Sequence, residues 1–532
     1  MQRTPDLFYP RGLNMNKRRA ALAIVLGFSV STAFAQTLEI RDYLTMPMTG
    51  SITATGNNGQ LARINSMQEE PGGTQRLFVN DLNGPLYIIN KNSKTPVVYL
   101  NFNGRGIQPG LFHRFTYEAG YANGFVGFRF DPDYTTNGKF YTVHIEEPAV
   151  AGSPLPDNKN FSGLDTSGYT ATPAIQTPGD IQRDAVLIEW TDSRISNDTF
   201  EGTAREVMRL QLNNRIHPMG DLSFNPNAKR GDPEWRVLYV GSGDGGSGEQ
   251  QTAMRLNPQR LDTMVGKILR IIPDLKEHAE ASTVSENGRY RIPNDNPFAS
   301  TAGARKEIWA YGLRNPHRLT WDGNTLIAAT VGLHTWESAY IVRKGANYGY
   351  PLREGNETLK QDNTTTSLPD QDRVPVQVTD KTTAGMVSPT YPVLEYPHTK
   401  EGGDAISGGF VYRGSALPIL RGKYVFGDIT TGRVWYADLA EMIAADDGKP
   451  GTLAMLHEMK IRWNGETYAT MFPIVEAAYQ ARGGKDPNLP GSSTVSGDGR
   501  ADIRFAIDAA GELYILSKSD GVIRAVVAAT AN

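Results

Sequence analysis

Apolar residues along this chain come in short alternating runs, broken every few positions by Gly, Asp, Asn or Pro. That is the pattern of short half-buried strands joined by tight turns. Helical spacing is rare; it predicts short helices only at Leu256–Val265 and Asp438–Ala445. One unit recurs: an apolar strand, a polar turn with Asp or Asn and Gly, and a second strand with aromatic or aliphatic residues. It runs from Arg76 to Tyr87, Phe128 to Tyr141, Leu222 to Gly241, Leu319 to Leu326, Gly422 to Trp435 and Ile503 to Tyr514. Strand–turn–strand units repeated in this way predict an all-β fold, a six-bladed β-propeller with long loop insertions. A sandwich, or two separate β domains, is the alternative. The Pro-, Asn-, Ser- and Thr-rich stretches 150–182, 355–390 and 480–498 are the insertions, and no composition break in 40–528 divides the chain. Loops of this kind gather at a propeller's faces and commonly carry function.

The N-terminus has a different character. Lys17, Arg18 and Arg19 precede an apolar run from Ala20 to Val30, and Ala33-Phe34-Ala35 offers a small-x-small cleavage site before Gln36. This predicts a signal peptide over 1–35, with 36–532 as the single propeller domain; Met15 is an alternative start that makes 1–14 an extension. The apolar run is too short for a membrane span, and no second long run follows. The expected location is periplasmic or secreted.

Composition narrows the chemistry. The 532 residues include 55 Gly and no Cys, which excludes disulfides, thiolate metal sites and thiol nucleophiles. Net charge is −3, and with five basic and one acidic side chain in 1–35 the remainder carries −7, so there is no basic footprint for nucleic acid. The eight histidines show no zinc-like spacing. Gly241-Ser-Gly243-Asp-Gly-Gly246 matches a dinucleotide fingerprint in letters only, because no βαβ unit follows it. Asp131-Pro-Asp133 to Gly138 offers oxygen ligands for calcium but reads more simply as a hairpin turn.

Several segments resemble the soluble pyrroloquinoline quinone (PQQ)-dependent sugar dehydrogenases, the glucose/sorbosone dehydrogenase-like family. They are Gly124 to Gly138, His217-Pro-Met-Gly220, Leu238 to Asp244, Gly266 to Arg270, Ile292 to Phe298, Glu307 to Pro316, Gly345 to Pro351 and Gly409 to Gly414. The resemblance implies a six-bladed propeller whose quinone lies over the central channel. It implies that His217 removes the proton of a sugar hydroxyl, that Asp244 orients it, and that Arg314 stabilises charge on the quinone. Arg314, Asn315 and Arg504 would hold PQQ, and Gly332 and Glu337 would stand in the calcium loop. The partners implied are a sugar or alcohol substrate and an electron acceptor. The glucose enzymes place a Lys on the fifth-to-sixth blade strand and two Arg near the C-terminal blade; here Gly427 to Arg433 contains no Lys, while Arg500 and Arg504 lie near the second region. The family's paired acids at the calcium loop are reduced to Glu337, and His334 and Trp336 look suited to stacking on a ligand. A non-catalytic carbohydrate- or protein-binding propeller, and a calcium-dependent propeller hydrolase, are the competing functions.

Overall fold

Each of the six predicted hairpins is an antiparallel strand pair. The structure, a computed structural model, describes residues 36–495 and 497–531. The predicted signal peptide lies outside the described residues. Among the described residues no helix is long and apolar enough to cross a membrane.

The strands form sheets that follow the sequence. Ile64–Glu69, Arg76–Asp81, Pro85–Asn90 and Pro96–Asn101 make the first. Phe125–Phe130, Lys139–Glu146, Arg183–Asp192 and Gly202–Leu212 make the second, with Leu164–Asp165 at its edge. Met219–Phe224, Leu238–Ser242, Lys267–Ile271 and Ile308–Tyr311 make the third. Arg318–Asp322, Thr325–Thr330, Trp336–Ile341 and Leu394–Pro397 make the fourth. A nine-stranded sheet contains two further antiparallel runs. One is Ile406–Val411, Lys423–Asp428, Val434–Asp438 and His457–Trp463; the other is Ile503–Ile507, Leu513–Ser517, Val522–Ala531 and Gln36–Thr45. The strand Gln36–Thr45 joins these runs, antiparallel to Val522–Ala531 and parallel to His457–Trp463.

The first strands of successive runs lie side by side. Ile64–Glu69 neighbours Phe125–Phe130, and the series continues through Met219–Phe224, Arg318–Asp322, Ile406–Val411 and Ile503–Ile507, which returns to Ile64–Glu69. Alternating side chains on each run face the next, so a separate apolar core fills each gap between neighbours. Val143, Leu187 and Leu210 meet Leu222, Val240 and Leu269 in one gap. Phe78, Tyr99 and Phe102 meet Phe140, Ile188 and Trp190 in another. Each such fully buried aliphatic or aromatic side chain contributes roughly 1.5–3 kcal/mol.

Two helix expectations came out differently. Leu439–Ala445 is helical as the spacing predicts. Leu256–Val265 is not: a 3₁₀ turn, Ala253–Leu256, ends at Asn257 and Pro258. Proline breaks the ladder there, and the buried Lys267 ammonium collects the carbonyls of Asn257, Pro258 and Val265 at 3.1, 2.9 and 2.6 Å. The helix Phe472–Ala481 was not anticipated; it has proline in its first turn and buries Ile474, Val475 and Tyr479. The Asp131 segment is a turn, as its composition suggested: the carboxylate accepts Arg236 Nη2 at 2.9 Å, Tyr141 Oη at 2.9 Å and Asn137 Nδ2 at 3.0 Å.

Candidate active site

His217 sits between the strands Gly202–Leu212 and Met219–Phe224, with a left-handed backbone at φ +50°. A non-glycine residue in that region is held there by its surroundings. The Gly-rich turn after Leu238–Ser242 supplies the constraint. Gly245 N donates to His217 O at 3.0 Å and Asn214 N to Gly245 O at 2.8 Å. A Cβ on Gly243 would lie 2.4 Å from His217 O, so the turn fits only without a side chain there. The glycines that imitated a nucleotide motif thus bring Asp244 beneath the histidine.

Asp244 is fully buried. Its Oδ1 accepts His217 Nδ1 at 2.8 Å and Gly246 N at 2.8 Å, and its Oδ2 accepts Gly248 N at 3.0 Å. A carboxylate at Nδ1 keeps the proton there and leaves Nε2 with its lone pair free. Nε2 faces a cavity of about 570 Å³, lined by His217, Arg314, Asn315, Arg504 and loops from several sheets.

Arg314 follows the strand Ile308–Tyr311, and its carbonyl accepts Asp244 N at 2.7 Å, which ties it to the dyad. Its Nη2 pairs with Glu249 Oε1, which also lies 3.9 Å from His217 Nε2. Burial opposes the guanidinium's charge, but Glu249, Tyr350 and Asp244 outweigh it and raise its pKa. Burial likewise works to raise Glu249, and Arg314, His217 and His334 overcome it, holding the carboxyl below its usual range. Glu249 was missed in the sequence because it stands in a Gly- and Gln-rich segment with no motif of its own.

The far side of the cavity is cationic. Arg318, Arg500, Arg504 and Lys518 line it. One fully buried carboxylate, Asp502, faces Lys518 Nζ at 2.9 Å, Arg504 Nη1 at 3.4 Å and Arg500 Nε at 3.9 Å. Burial pushes Arg504 down to about 9, relieved by Asp502 and worsened by Arg318, Arg500 and Arg63. Burial also takes Lys518 well below its ordinary value, against the pull of Asp502. Cations outnumber the carboxylate here, so a bound anion would relieve a real electrostatic cost. Lys518 occupies the last turn, Ser517 to Asp520, away from the lysine-free stretch Gly427 to Arg433. His317 borders the same cavity, buried, with neither ring nitrogen hydrogen-bonded. Burial, then Arg318 and Arg504, hold its pKa well below 6.5, so it offers a neutral donor and acceptor.

The expected calcium residues come together, and protein groups occupy the atoms they offer. Glu337 is fully buried and spends Oε1 on Gly332 N (2.9 Å) and His398 Nε2 (2.7 Å), and Oε2 on Ile406 N (2.7 Å). Gly332 O accepts from Arg314 Nη1. The next four amides turn inward: Leu333, His334, Thr335 and Trp336 N–H all reach Glu354 Oε1, at 2.6, 2.8, 2.9 and 3.3 Å. Calcium wants six to eight oxygens, whereas two carbonyls of this loop already accept from a guanidinium and four of its amides point to a carboxylate. A divalent cation about 4 Å from Arg314 would meet a repulsion of about 8 kcal/mol at an effective dielectric near 20. Among the described residues no group of three or more His, Cys, Asp or Glu forms a metal cluster. Of the two residues expected to stack on a ligand, His334 lines the cavity. Trp336 does not; its Nε1 donates to Glu357 Oε2 at 3.1 Å.

Comparison with known proteins follows the same line. Three relatives show the spread. The HIPL1 protein of Arabidopsis thaliana is 27% identical over 328 residues, 59% of this chain and 43% of that protein. The aldose sugar dehydrogenase YliI of Escherichia coli is 33% identical over 166 residues, 30% of this chain and 36% of that protein. Human Hedgehog-interacting protein is 24% identical over 374 residues, 67% of this chain and 39% of that protein. The chain thus spans less than half the length of each of these relatives. Two solved structures share the fold. The apo soluble aldose sugar dehydrogenase of Escherichia coli matches with TM-score 0.52 and 16% identity, over 93% of this chain and 100% of that one. The PQQ-bound aldose sugar dehydrogenase of Streptomyces coelicolor matches with TM-score 0.50 and 16% identity, over 93% and 98%. A family model, Glucose / Sorbosone dehydrogenase, matches residues 212–462, the stretch that holds His217, Asp244 and Arg314. Over those residues the chain matches the glucose/sorbosone dehydrogenase family.

Proposed function

We propose that this chain is an exported, PQQ-dependent dehydrogenase with a six-bladed propeller fold, oxidising an aldose or a related hydroxyl compound. One observation carries the reading: the His217–Asp244 dyad and the cationic cluster around Arg504 border the same cavity. The closed series of six first strands supports the blade count. The basic-then-apolar pattern before Gln36 supports export to the periplasm or beyond.

PQQ is a flat tricarboxylate, and the residues present suit it. Arg318, Arg500, Arg504 and Lys518 offer charge for carboxylates, Asn315 and His317 offer neutral hydrogen bonds, and Arg314 shares Glu249 with the base. When bound, the quinone would supply a two-electron acceptor for hydride, redox capacity that a chain without cysteine lacks. The remaining work falls to the protein. His217 Nε2 takes the hydroxyl proton of the substrate, and Asp244 stabilises the imidazolium that results. Arg314 holds a fixed positive charge where negative charge develops. Glu249, between His217 and Arg314, hydrogen-bonds to a substrate hydroxyl once ligand separates the pair.

The test is direct. The mature chain is purified, supplied with PQQ, and followed by dye reduction across a panel of aldoses. Turnover that disappears in His217→Asn supports the proposal. A chain that binds PQQ and reduces no dye with any sugar refutes its enzymatic part.

A second reading, a non-catalytic protein- or carbohydrate-binding propeller, draws support from the Hedgehog-interacting relative, whose name states a binding role. On that reading PQQ does not bind at all. Calcium-dependent hydrolysis has less support. The carboxylates lining the cavity are Glu249 and Asp404, and Asp404 already accepts from Thr430 Oγ1 (2.6 Å), Thr494 N (2.6 Å) and Ser493 Oγ (2.9 Å).

A further inference from the structure

We infer that this cavity takes its anionic ligand without a divalent cation, because the Arg314 guanidinium, seated on the Val331 and Gly332 carbonyls, holds the place that the family resemblance gives to calcium. The inference rests on the PQQ reading for the identity of the ligand, though not for the state of the loop.

Three features of the loop 331–337 agree. First, its amides converge on an anion. Four consecutive N–H groups, Leu333 to Trp336, share Glu354 Oε1. Successive amides turned to one point form an anion-cradling nest, the opposite polarity to a cation loop. Gly332 permits this curl: a Cβ there would lie 1.8 Å from Trp336 O. Second, two of the loop's carbonyls, those of Val331 and Gly332, are already in use. Arg314 Nη1 donates to Val331 O at 3.3 Å and to Gly332 O. Third, the loop's own acid is spent, since Glu337 accepts Gly332 N, His398 Nε2 and Ile406 N.

These bonds also give Arg314 a fixed direction. The loop carbonyls hold Nη1, and Glu249 holds Nη2. A ligand carbonyl or carboxylate that displaces Glu249 finds a preorganised, permanently charged donor there. Arg suits this role because its charge persists at every physiological pH and its planar fork is rigid. Glu354 acts through the loop as a positioning residue; it sets the curl that turns the carbonyls toward Arg314 and touches no ligand itself.

The experiment has two arms, both on the full mature chain. In the first, PQQ affinity is measured by fluorescence titration with excess EDTA and again with excess calcium. The expected dissociation constants agree within twofold, and Glu354→Gln weakens both equally, by about tenfold, while its circular dichroism stays that of the parent. Arg314→Lys weakens both by more than tenfold, and calcium does not restore it. A parent affinity that rises more than tenfold with calcium overturns the inference. In the second arm, no PQQ is present. Terbium replaces calcium, and emission sensitised by Trp336 is compared with that of Trp336→Phe. Equal emission from the two supports the inference; emission lost in Trp336→Phe places a cation in this loop and overturns it. Absence of PQQ binding in both buffers would instead refute the ligand reading, and the terbium arm would still decide the loop.

Discussion

Replacing Asp502 by Asn tests the cationic side of the cavity and leaves the dyad intact. Asp502 is fully buried and accepts from Gln60, while Lys518, Arg504 and Arg500 approach at 2.9, 3.4 and 3.9 Å. Burial alone would raise its pKa. The three cations overcome burial and bring the carboxyl from 3.8 down to about 2. A depression of that size corresponds to about 2.5 kcal/mol of stability from ionisation. Asparagine keeps the shape but leaves three cations facing one another, and breaking a buried pair in this way costs about 3–5 kcal/mol. The expected loss at pH 7 is therefore about 3 kcal/mol. The folded pKa lies below the unfolded one, so the carboxylate's contribution is complete above about pH 4 and fades as pH falls through 2. Equilibrium denaturant titrations of parent and variant from pH 7 downward should show a gap that closes between pH 4 and 2. PQQ should then stabilise the variant more than the parent, because the cluster has lost its one internal anion. A gap under about 1 kcal/mol at pH 7 would refute the account, since the buried pair would then contribute less than its geometry requires.

Other outcomes are expected from the same geometry. Asp244→Asn can satisfy either His217 Nδ1 and Gly246 N or Gly248 N, not all three, and it carries no charge; dye reduction should fall by ~10³–10⁴ with PQQ affinity nearly unchanged. Glu249→Gln releases Arg314 from a competing carboxylate, so PQQ should bind about five- to tenfold tighter by fluorescence titration, a gain near 1 kcal/mol. Gly332→Ala forces a methyl against Trp336 O, and a drop of about 3 kcal/mol in denaturant titration is expected, with weaker PQQ binding as the loop uncurls.

Much of the scaffold was readable in the sequence because period-two alternation and Gly-rich turns are local signals. The hairpin Arg76 to Tyr87 declares itself within twelve residues. The dyad was legible only through resemblance: His217 and Asp244 are far enough apart that no spacing rule joins them, and the connection is made by a glycine turn folding back. Lys518 was invisible because its role depends on Asp502, which meets it across the hairpin between Ile503–Ile507 and Leu513–Ser517. The loop at Gly332 misled for a similar reason. Its oxygens and amides look alike in sequence, and Glu354, seventeen residues beyond Glu337, decides which way they turn. The helix Phe472–Ala481 was hidden by Pro473, a residue that breaks a helix in the middle yet suits its first turn.

The strand that begins at Gln36 lies opposite Ala531 and beside Met459. The final seam of the molecule therefore joins residues from nearly opposite ends of the chain, and nothing covalent secures it. A chain emerging from synthesis carries Gln36–Thr45 early but meets its antiparallel partner, Val522–Ala531, much later. Until then that side of Gln36–Thr45 is an unpaired sheet edge, the kind that recruits other chains. Pairing order is thus a question of timing: a circular permutant that opens the chain elsewhere would move the unpaired interval to a different sheet.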